Sequence, residues 1–245
     1  MSYKIVLLNG TSDSSMRIAA LLFSLFAMTA HAKDRVTDAR ARRGTEIAEL
    51  ISKAGLSAKP TEVYLRVLKR ERQVELWAGP KGKPLSLVKT YAICAASGEL
   101  GPKRAEGDLQ VPEGFYDVPE FNSTSSYHLS MKVSYPNASD KIRTSNRAHP
   151  GGLIYMHGDC VSIGCVAIED AQIEEVYLIS LDATVRRIDI FPTRLTAATI
   201  EAMKDEALFG FWRELAPAYI QFEKTRRPAR YTIDPKTGEY RVITQ

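Results

Sequence analysis

Apolar and polar positions along this chain change period twice, and the changes separate a strand-rich middle from helical ends. Near the start, Thr45-Glu46-Ile47-Ala48-Glu49-Leu50-Ile51 places apolar residues at helical spacing, and Gly55 stands where a C-capping glycine ends a helix. A helix is therefore predicted over 33–56, with Arg35, Arg40, Arg42 and Arg43 read as its solvated face. Short β runs follow at Val63–Leu68, Val74–Trp77 and Leu85–Val88, the last two separated by the turn Gly79-Pro80-Lys81-Gly82-Lys83-Pro84. Tyr91–Ala95 reads as another buried strand. The Gly- and Pro-rich stretch Gly101–Asp117 is a loop that enters a strand at Gly114-Phe115-Tyr116, and the alternation of His128–Tyr135 predicts one more. After a long polar loop, Pro136–Gly152, the short apolar strand Leu153–Met156 delivers His157 to its end. Helical spacing returns over Asp170–Ser180 (Ile173, Val176, Tyr177, Ile179), with Glu174 and Glu175 near the favourable N-terminal end of the dipole. Val185–Phe191 is a strand ending at Pro192. Leu195–Thr225 is helical, with Phe209, Phe211, Trp212, Tyr219 and Phe222 as a packing stripe, and Arg230–Thr244 folds as a hairpin around Asp234–Gly238.

Composition adds little to that outline. The 245 residues are 44% hydrophobic and 25% charged, as in ordinary globular chains, and the formal charge of +4 comes without a Lys/Arg block, which argues against a nucleic-acid partner. The N-terminus says more. From Met16, the better initiator, Arg17 precedes an apolar core from Ile18 to Thr29 and the A-x-A pattern Ala30-His31-Ala32. This is the plan of a secretory signal peptide over 1–32, too short and wrongly flanked for a spanning helix. The expected organisation is a helical segment over 33–60, a catalytic domain over 61–193 and a C-terminal helical extension with a small hairpin over 194–245. The class is mainly β with helices, α+β, and the exported chain has no transmembrane span.

Three cysteines, Cys94, Cys160 and Cys165, leave one thiol over in an oxidising compartment. Pairing Cys94 with Cys160 would free Cys165; pairing Cys160 with Cys165 would not. The stretch from Met156 to Asp170, MHGDCVSIGCVAIED, places His157 eight residues before Cys165, itself preceded by Ser162-Ile163-Gly164. A thiol is a useful nucleophile as thiolate, and an imidazole can take its proton. Glycine before the cysteine allows a sharp turn that leaves peptide N–H groups for an oxyanion. A zinc site of His157, Asp159, Cys160 and Cys165 is the rival reading, but the spacing matches no familiar finger and no second Cys/His pair accompanies it. No metal and no cofactor are expected.

The His-Gly pair followed by Ser-x-Gly-Cys-Val, with a helix opening soon after at Glu169-Asp170, resembles the L,D-transpeptidase catalytic domain of the YkuD type. Upstream, Gly101-Pro102-Lys103-Arg104, Glu106-Gly107-Asp108, Val111-Pro112-Glu113-Gly114-Phe115-Tyr116 and Ser134-Tyr135-Pro136-Asn137 agree in order. Downstream, Phe211-Trp212 and Phe222-Glu223-Lys224-Thr225 are similar to the YafK-like branch. The resemblance implies a mixed β-sandwich with a helix packed on it, and acyl transfer on peptidoglycan stem peptides in the periplasm. It implies Cys165 as nucleophile, His157 as proton acceptor and donor, N–H groups around Gly164 for the oxyanion, and Ser162 shaping the turn. Lys103, Arg104 and Tyr155 are substrate-binding candidates; Lys132 and Arg143 are weaker ones, and His128, His149 and Glu113 read as structural or surface residues. Two positions depart from the usual pattern: Ile163 stands in place of a second histidine and Ala167 in place of an arginine. The YafK-like branch shares this form and is associated with releasing a wall-linked lipoprotein by hydrolysis. The competing class is a non-catalytic wall-binding module.

Overall fold

Seven consecutive buried positions in one strand, Glu62–Leu68, require a sheet covered on both faces. The computed structural model describes residues 35–243, so the expected signal peptide lies outside them. In chain order the strands are β1 (Glu62–Leu68), β2 (Gln73–Gly79), β3 (Ser86–Ala92), β4 (Gly114–Asp117), β5 (Phe121–Asn122), β6 (Ser130–Lys132), β7 (Tyr155–His157), β8 (Val166–Ala167), β9 (Val185–Phe191), β10 (Arg230–Ile233) and β11 (Tyr240–Ile243). The helices are α1 (35–53), α2 (Ala138–Arg143), α3 (Asp170–Asp182), α4 (Ala197–Ala202) and α5 (Phe209–Thr225). Two mixed sheets result, ordered β3-β2-β1-β9-β4 and β5-β6-β7-β8, with β10 and β11 as a separate hairpin.

The larger sheet turns Val63, Leu65, Val67, Val74, Leu76, Ile188 and Ile190 toward a core shared with the smaller sheet and α3. Its other face carries Leu68, Phe115 and Phe191 against Trp212, Leu215 and Tyr219 of α5, which is where the aromatic stripe goes. That outer face also holds charge. Arg66, 1% exposed, donates to Glu75 at 2.7 Å and Glu223 at 2.6 Å. Its guanidinium lies 4.6 Å from the Tyr219 ring and 5.0 Å from that of Phe222. Arg194 takes the other oxygen of Glu75 at 2.9 Å. Beside it, Arg187 grips Asp189 at 2.7 and 2.9 Å, and the Tyr64 hydroxyl donates to the same carboxylate. Every charge in this layer has a partner, as burial demands.

Helix α1 ends as the sequence predicts. Gly55, at φ +75°, donates to Ser52 O, and Leu56 donates to Ile51 O, the paired bonds of a Schellman cap. Its arginines do not form a free solvated face: Arg40 pairs with Asp182 at 2.6 Å, and Arg42 and Arg43 both reach Glu174, at 2.5 and 3.0 Å. Long side chains on the outer flank can cross to the neighbouring helix, which a residue-by-residue polarity pattern does not register.

Other boundaries move for local reasons. The separate strands expected at Leu85–Val88 and Tyr91–Ala95 are one strand, β3, because Val74 pairs with Tyr91 across an unbroken hairpin bulged at Leu76/Trp77. The expected strand over His128–Tyr135 shortens to β6, since His128 takes a left-handed backbone at φ 65°. Leu153, at φ 54°, likewise delays β7 to Tyr155. The polar loop contains α2, opened by a capping box in which Asn137 and Asp140 serve each other's backbone N–H. The long C-terminal helix breaks into α4 and α5. No described helix is long and apolar enough to cross a membrane.

Substituting Arg66→Ala takes one of two arginines from buried Glu75, leaving Arg194 and the Trp77 indole on it, and the expected loss is about 2–3 kcal/mol in equilibrium denaturant unfolding. A loss below 1 kcal/mol would mean that water reaches Glu75 and that the layer is not dry.

Candidate active site

Strands β7 and β8 pair in parallel, with Met156 beside Val166 and His157 beside Ala167. Neighbours across a pleated pair share a face, and residues two apart on one strand share it too. Tyr155, His157 and Ala167 therefore point one way, and Cys165, which enters β8, joins them. By that register Cys165 stands diagonally from His157 on the same face. Met156 and Val166 point the other way and are fully buried in the core. Tyr155 is thus on the site side rather than in the core.

His157 is 3% exposed, and its Nδ1 lies 2.6 Å from Gly158 O. A carbonyl oxygen only accepts, so Nδ1 carries the proton and Nε2 is left unprotonated in the neutral ring. One face of the imidazole is covered by the Tyr127 ring, with centroids 4.8 Å apart and planes 33° from parallel. Gly158 is needed where it stands: a Cβ there would collide with the Asp170 carboxylate, which accepts the Asp159 N–H at 2.8 Å and so ties the loop to the start of α3.

The return from β7 to β8 is held from three sides. Cys160 is disulfide-bonded to Cys94, which leaves Cys165 as the free thiol and takes Cys160 out of the alternative metal-ligand set. Ser162 Oγ accepts the Gly164 N–H at 3.2 Å and donates to Cys165 O at 2.8 Å, clamping the turn. Gly164 adopts φ +126°, a conformation closed to most side chains. Its N–H is thus spent on the Ser162 hydroxyl in this state of the loop. Ile163 is 79% exposed at the rim, and Ala167 is fully buried, bridged to Ala95.

Cys165 opens onto a cleft of about 550 Å³, lined by Lys103, Leu109, His149, Gly151, Leu153 and Ile163 among others. Lys103 lines it, but its ammonium is buried and held by Asp108 at 2.5 Å and Ala105 O at 2.8 Å. Asp108 also accepts the N–H groups of Arg104, Ala105 and Gln110. Burial works against its charge, yet these donors keep its carboxyl below the usual range. Arg104 faces elsewhere: its guanidinium lies 5.1 Å from the Phe211 ring and 3.6 Å from Asp140, toward the C-terminal extension. Arg143 likewise binds Glu214 and Thr237 O, and Lys132 pairs with Glu120. Glu113 accepts Gly101 N–H and the Trp212 indole N–H and pairs with buried Lys69, a structural role.

Burial depresses the pKa of His157, against the opposing pull of Gly158 O and Asp159. Burial also raises that of Cys165, although the Tyr155 N–H at the sulfur and the positive Lys103 work the other way. Both shifts favour the neutral pair, thiol plus imidazole, over a standing ion pair. Three participants escape a sequence reading: the Tyr155 N–H, because any residue would supply it; Tyr127, because nothing local ties it to His157; and Asp108, whose Gly107-Asp108 turn was the available signal.

Comparison with known proteins bears on the family of the chain. The L,D-transpeptidase catalytic domain (YkuD) matches residues 62–190. The candidate L,D-transpeptidase YafK of Escherichia coli (strain K12) is 35% identical over 187 residues, 74% of this chain and 73% of that protein. Among solved structures, the helical cell shape determining protein Pgp2 from Campylobacter jejuni superposes with a TM-score of 0.45 at 16% identity, covering 77% of this chain and 80% of its own. L,D-transpeptidase 1 of Mycobacterium tuberculosis gives a TM-score of 0.32 at 13% identity, over 53% and 61%.

A neutral resting thiol sets a clear expectation for alkylation. At pH 7 iodoacetamide should modify Cys165 more slowly than a free cysteine peptide, because a raised pKa leaves less thiolate. The rate should still be climbing above pH 9. A plateau reached below pH 7 would establish a preformed thiolate instead.

Proposed function

The chain belongs to the L,D-transpeptidase catalytic domain (YkuD) family, and from that premise we propose that it is a cysteine acyltransferase acting on peptidoglycan stem peptides. The observation that carries this reading is the shared sheet face of His157 and Cys165, with the imidazole tautomer fixed by Gly158 O.

In the proposed reaction Cys165 Sγ attacks the carbonyl of the diaminopimelate residue at stem position three. As the S–C bond forms, the thiol proton passes to His157 Nε2, so a depressed imidazole pKa suits a base that must be neutral at pH 7. The carbonyl oxygen becomes an oxyanion, taken by N–H groups at Gly164 and Cys165; for Gly164 this means exchanging the Ser162 Oγ partner for substrate. His157 then gives its proton to the leaving amine, the C–N bond breaks, and a thioester remains. An amine acceptor completes transpeptidation; water completes hydrolysis. Lys103, paired with Asp108, shapes the cleft wall rather than offering a free charge to an acidic stem peptide, and Tyr155 borders the same face as Cys165. Arg104 is better suited to bracing the cleft wall than to meeting substrate.

A hydrolytic second reading, release of a lipoprotein covalently attached to the wall, is favoured by Ile163 and Ala167, which remove two polar side chains the family usually places beside the thiol. The disulfide between Cys94 and Cys160 suits an oxidising compartment, in keeping with export to the periplasm.

Incubating the protein with tetrapeptide muropeptides and with tripeptides that retain a lipoprotein C-terminal lysine, followed by mass spectrometry, separates these outcomes. Wild type should form products that Cys165→Ala fails to form, a loss of more than about 10³-fold, with little change in thermal stability. Dimers joined between diaminopimelate residues mark transpeptidation, and freed lysine peptide marks hydrolysis. The acid limb of kcat/KM should lie below pH 6.5. No product from wild type would return the protein to the class of wall-binding modules.

A further inference from the structure

The loop before β6 makes contacts that the acyl-transfer scheme does not use. Tyr127 stacks on the His157 imidazole at 4.8 Å and is nevertheless 44% exposed, a large aromatic residue kept at the surface over a buried ring. Its backbone is tied to the same histidine segment: Tyr127 O accepts the Gly158 N–H at 3.2 Å, and Leu129 O accepts it at 3.3 Å. The loop is also fastened from outside the catalytic sheets. Arg35, in the first described turn of α1, donates one guanidinium N–H group to Ser125 O at 2.6 Å and His128 O at 2.9 Å, on either side of Tyr127. His128 is turned away to Glu174 on α3 at 3.0 Å, where Arg42 and Arg43 from α1 also converge.

We propose that Tyr127 is a positioning residue for His157, a lid over one imidazole face whose seat is set by α1 through Arg35. The proposal rests on the reading of His157 as the base. An imidazole can rotate about χ2 at little cost, and the single Nδ1–H bond to Gly158 O fixes its azimuth from one edge only. A ring laid on its face removes the remaining freedom and excludes water from that side, so that Nε2 stays aimed across the sheet toward Cys165. The ionisable groups around the imidazole are Asp159 two residues on, Cys165 and Tyr155 on the shared face, and Tyr127 itself. Asp170 on α3 is engaged by the Asp159 N–H, and Glu174 by its arginines and His128. Removing the Tyr127 ring therefore chiefly rehydrates His157, leaving its charged neighbours in place.

The test is a histidine-resolved NMR titration of the full chain, run with turnover, for Tyr127→Phe, Tyr127→Ala and Arg35→Ala. In Tyr127→Ala the His157 midpoint should rise toward the ordinary 6.5, and kcat should fall about tenfold with KM unchanged. Tyr127→Phe should keep both values, because the ring and not the hydroxyl makes the contact. Arg35→Ala should shift the midpoint in the same direction by less. An unmoved midpoint in Tyr127→Ala, or a Phe variant that behaves like Ala, overturns the proposal. A moved midpoint in a protein that turns over no wall fragment leaves the positioning role standing and removes the acyltransferase reading.

Discussion

Parallel strands ordinarily need a crossover of about a dozen residues or more between them, because the chain must travel back the length of the strand before it can pair again. The connection from β7 to β8, residues 158–165, does this in less. Most unusual local features of the site follow from that constraint. Asp159 and Gly164 take left-handed backbones to tighten the path. The Ser162 hydroxyl stands in for backbone partners that so short a return does not provide, and the carboxylate of Asp170 takes up the Asp159 N–H. The benefit is placement. Two strands joined so tightly have no room to slip in register, and register alone decides that His157 and Cys165 face the same way.

Around this ladder the rest of the molecule acts as a mount. The segment that walls the cleft on the Lys103 side is pinned by Glu113, which takes the Gly101 N–H, the Lys69 ammonium and the indole of Trp212. Since Trp212 belongs to α5, the C-terminal extension is fastened directly to the cleft wall. The larger sheet meets the site through the segment that follows β3, where Cys94 and Ala95 join Ala167 and Cys160; its ion-filled outer layer lets α5 lie on a face that would otherwise need to be apolar. Thus charged side chains within the strands, Arg66, Glu75 and Asp189, mark the covered outer face rather than a solvent face.

How far the sequence discloses this depends on the range of the interaction. β9 and the C-terminal hairpin are read with nearly their observed bounds, because apolar runs closed by Pro192 and a turn at Asp234–Gly238 are local signals. Gly55 is legible for the same reason. The residues Cys165, His157, Gly164 and Ser162 sit within a few positions of one another, so spacing alone suggests their chemistry. Tyr127 does not, being far along the chain from the ring it covers, and α1 becomes relevant only once Arg35 is seen to reach Ser125 and His128. Helix α2 hides because a single turn and a half has no hydrophobic period to detect, although Asn137 and Asp140 spell its capping box. Arg104 misleads in the opposite sense: its neighbour Lys103 lines the cleft, but alternation sends the guanidinium to the other side of the segment.

The pairing of Cys94 with Cys160 can be viewed as protection by exclusion. An oxidising compartment exposes a free thiol to capture by any other cysteine, and Cys160 is the one nearest to Cys165 along the chain. Once Cys160 is committed to Cys94, an odd complement of three leaves Cys165 with no thiol of its own chain to meet. Oxidation, which ties up most partly exposed thiols, here closes Cys160 onto Cys94 and leaves Cys165 without a competitor in its own loop.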